Sequence, residues 1–125
     1  MKNAVQTNRT DCIFCKIIAG KSTSQMLYQD ELVSAFRDNR PVAPVHVLVV
    51  PNKHIASVND LTADEEALIG HLFTVARQLA RQEGVDHSGY RLVVNTGPQG
   101  GQRVYHLHLH LLAGRQMQTL IGSMD

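Results

Sequence analysis

The chain has 125 residues, 43% of them hydrophobic, with 12 Lys and Arg against 11 Asp and Glu and a formal net charge of +1. That length suits one domain with a real core, and charges of both signs scattered along it argue against a broad polyanion-binding surface, so nucleic acid is not an expected partner. No apolar run reaches the roughly 18 residues of a membrane span, and residues 1–9 lack the apolar block of a signal peptide, so the expectation is a cytoplasmic protein with no membrane partner.

Residues 1–10 are polar and aperiodic and read as a flexible N-terminal tail. From Cys12 to Ala19 the apolar positions Ile13, Phe14, Ile17 and Ile18 fit a short helix closed by Gly20. Cys12 and Cys15 would close too small a loop for a useful disulfide, which leaves a metal pair, a redox pair or two small apolar residues. Met26 to Gln29 and Leu32 to Phe36, split by Asp30-Glu31, predict a hairpin. Residues 37–44 hold two prolines and an Asp-Asn pair and predict a loop. Val45 to Val50 is apolar except for His46 and is stopped by Pro51, as a central strand packed on both faces would be.

Thr62-Ala63-Asp64-Glu65 is a capping box, in which hydroxyl and carboxylate each satisfy an otherwise unpaired backbone N–H. Leu61, Leu68, Leu72, Val75 and Leu79 then recur at helical spacing until Gly84, predicting one amphipathic helix of about five to six turns. A strand at Arg91 to Asn95, a Gly-rich connection at Thr96 to Gln102 and a last strand at Val104 to Leu112 complete the pattern. Hairpin-grouped strands around one long helix indicate an α+β domain with a mainly antiparallel sheet. With no repeat or linker, it spans residues 11–117 as a single domain, followed by a C-terminal tail at 118–125.

The last strand carries the chemistry. In His106-Leu107-His108-Leu109-His110-Leu111-Leu112, alternation sends three imidazoles to one face and Leu107, Leu109 and Leu111 to the other. The leucines would meet the helix, and the histidines would open on a cleft. Imidazoles in this array suit either a metal platform or nucleophilic attack on an electrophile. The preceding loop, Asn95-Thr96-Gly97-Pro98-Gln99-Gly100-Gly101-Gln102-Arg103, lets backbone N–H groups converge on an anion, which moves the balance toward a phosphate site.

The run from Gly100 to Leu112 resembles the signature of the histidine triad (HIT) family, His-x-His-x-His followed by two apolar residues, and more narrowly its nucleotide-binding branch. Upstream, Cys12-Ile13-Phe14-Cys15-Lys16-Ile17, Ala35-Phe36-Arg37-Asp38, Pro44-Val45-His46 to Pro51, Lys53-His54-Ile55 and Tyr90 to Asn95 match in the family's order. The resemblance implies a HIT-like fold: a mainly antiparallel sheet of about five strands with one long helix and a short N-terminal helix. It also implies a nucleotidyl hydrolase or transferase, typically a purine nucleoside 5′-phosphoramidase, that acts as a homodimer and needs no cofactor for catalysis.

By position, His108 matches the family nucleophile, His110 the histidine on the phosphate oxygens and His106 the first member of the triad. Asn95 matches a phosphate or leaving-group contact, Asp38 the carboxylate on the ribose, and Ile13, Phe14, Ile17 and Phe36 the apolar walls around the base; Gly101, Gln102 and Arg103 join the nucleotide contacts. His46 is expected to support the catalytic histidines from behind. Cys12, Cys15, His54 and His106 resemble a structural Cys2His2 zinc site. Three positions depart from the pattern: Arg103 replaces a serine near the leaving group, Asn39 replaces an apolar residue, and residues 115–125 contain no tryptophan. A nucleotide-binding scaffold with incidental turnover is the alternative.

Overall fold

A computed structural model describes residues 5–6 and 9–119. Its elements are β1 (Val5–Gln6), α1 (Ile13–Ile18), β2 (Met26–Gln29), β3 (Val33–Arg37), β4 (Val45–Pro51), β5 (His54–Ile55), α2 (Glu66–Gln82), β6 (Tyr90–Val93) and β7 (Leu109–Ala113). Five of the strands form an antiparallel sheet in the order β2-β3-β4-β7-β6, while β1 and β5 make a separate antiparallel pair. The α+β class and the antiparallel sheet follow the sequence pattern. Among the described residues no helix is long and apolar enough to cross a membrane.

Helix α2 begins where the capping box requires. Thr62 N–H donates to Glu65 Oε1 at 2.7 Å and Asp64 N–H to Thr62 Oγ1, around a 3-10 turn at Ala63–Glu65 that runs straight into the helix. The C-terminal stop is Gly84, whose φ of +73° is left-handed. Between these ends Leu68, Leu72, Val75 and Leu79 pack on Val33, Ala35, Val47, Val49, Leu109 and Leu111 of the sheet and on Leu107 just before β7. The opposite face of the sheet is covered only in part, by Phe14, Cys15 and Ile17 of α1 on Phe36, Leu48 and Val50. Strand β4 is therefore buried on both sides, as its apolar run predicts.

Two expectations need correction. Val5 and Gln6 are not loose tail: they pair with Ile55 and His54 of β5. Residues 1–4, 7–8 and 120–125, the remainder of the predicted N-terminal tail and most of the C-terminal one, lie outside the described residues. The histidine strand starts at Leu109 rather than Val104, so His106 and His108 precede the ladder and only His110 sits within it. The inward and outward alternation survives because Leu107 N–H donates to Ile55 C=O at 2.7 Å, which ties the segment to β5 instead of to the sheet.

Candidate active site

On the face away from α2 the structure opens a cleft of about 830 Å³. One wall is apolar, made by Ile13, Phe14 and Ile17 of α1 with Phe36 and Leu48; another is the 38–42 loop with Asp38; the floor is His46, His108 and His110; and Asn95, Gly101 and Arg103 close the end near the Gly-rich loop. Leu48 and Val93 are lining residues the sequence reading did not single out. Period-two alternation from His46 places Leu48 on the same face, so that signal was present.

Hydrogen-bond partners that act only as donors or only as acceptors assign the imidazole tautomers. Val42 N–H donates to His46 Nδ1 at 3.1 Å, so His46 carries its proton on Nε2. That N–H faces His110 Nδ1 at 2.9 Å, with Asp38 Oδ2 at 3.3 Å. His110 Nδ1 is thereby an acceptor, and its Nε2–H is free to donate. His108 Nδ1–H donates to His106 C=O at 2.7 Å, which leaves His108 Nε2 with a lone pair. His106 Nε2–H donates to Pro51 C=O at 2.8 Å, so its lone pair is on Nδ1.

Burial keeps these rings neutral. His110 is lowered to about 4, first by burial and then by its neighbours His108 and His46, with Asp38 opposing. Burial also lowers His108, against the hydrogen bond to His106 C=O, and lowers His46 despite the carboxylate of Asp38. The cleft floor thus presents an unprotonated imidazole nitrogen beside an N–H donor, with Phe14 edge-on to His108 at 5.1 Å between ring centroids.

His106 is elsewhere. It is fully buried and outside the cleft lining, with Nδ1 3.4 Å from Cys12 Sγ and 3.6 Å from Cys15 Sγ. His54 Nδ1 lies 3.5 Å from Cys15 Sγ, and the four ligand-type atoms of Cys12, Cys15, His54 and His106 all fall within 4.8 Å of one another. All four residues are buried, and two imidazole nitrogens with two sulfurs form the donor set of a closed tetrahedral zinc site. Burial pushes the Cys15 thiol up to about 11, so without a cation this cluster holds a neutral thiol.

The remaining site residues divide. Gln102, expected on the nucleotide, turns into the protein: its Oε1 accepts from Gly97 N–H, and its Nε2 donates to Ala56 C=O and Val104 C=O. Its polar atoms are spent on anchoring the loop. Asp38 lines the cleft and also makes its own turn, accepting Arg40 N–H on Oδ1 at 2.8 Å. Asn95 lines the cleft while donating to Gly100 C=O at 2.8 Å. Gly100 is sterically required, since a Cβ there would lie 2.2 Å from Thr96 C=O.

Comparison with known proteins finds the HIT domain family over residues 19–117. The chain is 49% identical to the purine nucleoside phosphoramidase of Escherichia coli K12 over 90% of this chain and 94% of that protein. It is 51% identical to an uncharacterised HIT-like protein of Synechococcus elongatus over 86% of this chain and 93% of that one. Among solved structures, a HIT family hydrolase from Legionella pneumophila superposes with a TM-score of 0.87 at 47% identity, covering 90% of this chain and all of that one. A histidine triad protein from Clostridium difficile gives 0.87 at 45% identity, over 90% of this chain and 97% of that one.

Proposed function

This chain belongs to the HIT family, and from that membership we propose that it is a purine nucleoside 5′-phosphoramidase, cleaving at the α-phosphate through a nucleotidyl-histidine intermediate. The observation that carries the reading is the tautomer chain across the cleft floor: Val42 to His46, His46 to His110, and His108 to His106 C=O. It leaves one lone pair and one N–H donor facing the same space.

In this reading the base lies against Ile13, Phe14, Ile17 and Phe36, and Asp38 accepts from the ribose hydroxyls. His108 Nε2 attacks phosphorus; the P–N bond breaks, its electron pair goes to the departing nitrogen, and that nitrogen takes up a proton from solvent, which the attacking water of the second step returns. His110 Nε2–H donates to a phosphoryl oxygen and stabilises the charge that builds there. Water then attacks phosphorus, the P–Nε2 bond breaks, and the monophosphate leaves with His108 restored. Asn95 keeps one amide N–H and its carbonyl for the phosphate or the amine.

Turnover of adenosine and guanosine 5′-phosphoramidates by the wild type and His108→Ala tests this. A loss of at least about a thousandfold in kcat is expected for removal of a covalent nucleophile. Equal rates would overturn the mechanism; nucleotide binding by a wild type that shows no turnover would point instead to a scaffold.

Zinc on Cys12, Cys15, His54 and His106 belongs to the same proposal, as a structural ion that fastens α1 to β5 and to the segment before β7. Metal analysis of untagged protein purified without chelator is expected to return near one equivalent; less than a tenth of an equivalent would sink the idea. A homodimer in the cytoplasm completes the reading, and sedimentation at micromolar concentration tests the dimer.

A further inference from the structure

We propose that Arg103 selects substrates whose leaving group carries a second anion, an inference that rests on the phosphoramidase reading and names its substrate class. Three arginines line the cleft, Arg37, Arg40 and Arg103. Arg37 is committed, with Nη2 2.9 Å from Glu83 Oε2. Arg40 has no side-chain hydrogen bond or ion pair with a described residue, but it sits in the 38–42 loop beside Asp38, whose Oδ1 accepts its backbone N–H. The Arg103 side chain has no hydrogen bond or ion pair with any described residue. Among the described residues the one carboxylate in the cleft lining is Asp38, and it is already engaged by Arg40 N–H and His46.

The position of Arg103 is held firmly although its head is exposed. Gly101 N–H donates to Pro98 C=O at 3.1 Å, Gln102 N–H to Gly97 C=O at 3.0 Å, and the buried Gln102 side chain adds three more bonds. The residue before Arg103 is thus pinned inward, while Arg103 itself is exposed and lines the cleft. In-line displacement puts the leaving group opposite the nucleophile. His108 attacks from the cleft floor, so the amine departs on the side away from it, and Arg103 lines that same cleft on the loop that Asn95 binds through Gly100 C=O, with uncharged Gly101 and Val104 near it in the chain. The phosphoryl oxygens are addressed from the floor by His110. The unneutralised guanidinium is left for what lies beyond the nitrogen, and its planar donor fork suits a carboxylate or a phosphate.

The test uses four adenosine 5′-phosphoramidates in two matched pairs: β-alanine against β-alaninamide, and phosphoethanolamine against ethanolamine. The reading is the ratio of kcat/KM within each pair, which cancels any loss of folded protein. For wild type the anionic member of at least one pair is expected to be favoured by about threefold to tenfold, a modest figure because the guanidinium is exposed. In Arg103→Ser the ratio falls to one, in Arg103→Lys part of it remains, and Arg77→Ser, which removes a charge from the outer face of α2, leaves it unchanged. The pair that responds identifies the anion as carboxylate or phosphate. Ratios of one in the wild type, or ratios that survive Arg103→Ser, overturn the proposal while the phosphoramidase reading stands. No turnover of any of the four overturns both.

Discussion

Val42 N–H and the carbonyls of His106 and Pro51 cannot change their donor or acceptor roles with pH, so the imidazoles they hold are assigned by neighbours that do not titrate. His46 is the relay in this set, and its removal leaves the His110 tautomer unspecified. His46→Ala is expected to lower kcat by about tenfold to a hundredfold with little change in KM, the pattern of a lost transition-state contact, measurable in steady-state kinetics. Protonation is the second consequence. The His110 pKa is about 4 when folded against 6.5 in the free side chain, so the unfolded chain binds the extra proton first. The stability this ring contributes is complete above pH 6.5 and is lost as pH falls from there to about 4, on the order of 2 kcal/mol. Urea unfolding at pH 7.5 and pH 4.5 checks the sign. The acid limb of kcat/KM should likewise fall below the ordinary histidine range, because burial lowers His108 in the same direction.

At the scale of elements, the Gly-rich loop and the long helix fail differently when cut. Gln102→Ala leaves Gly97 N–H and Ala56 C=O without their side-chain partner, and a cost of about 1–3 kcal/mol is expected, together with lower kcat/KM because the loop lines the cleft. Leu72→Ala removes a buried leucine from the other side of the sheet; about 2–5 kcal/mol of stability should go, with kcat of the remaining folded enzyme unchanged. Denaturant titration with single-temperature kinetics separates the two. The helix was legible because its apolar spacing, capping box and terminal glycine all agree. The loop was legible as a Gly-rich connection and no further, since nothing local says which of its side chains faces inward: Gln102 and Arg103 are adjacent polar residues, and the one that became the anchor was decided by Ala56 C=O, 46 residues away.

Across the whole molecule, the N-terminal segment is fastened at two places, by β1 on β5 and by the cysteines of the α1 segment beside His54 and His106. Cys15→Ser should lower the thermal midpoint and, if zinc is bound, release it; differential scanning calorimetry with metal analysis reads both. That the tail would pair was not legible, because two residues of β1 carry no periodicity and their partner strand is itself two residues long. The sequence by itself determined the class of fold, the two-sided character of the histidine segment and the residue types of the site, since periodicity, capping and residue chemistry are local properties. It also brought the cysteine pair and the triad into view as separate features. The family resemblance already gave the three imidazoles different roles; the tertiary structure alone decided what holds each ring, because those partners are distant in sequence: Pro51 C=O and the cysteines hold His106 out of the cleft, and His46, brought across by the pairing of β4 with β7, turns the N–H of His110 toward it.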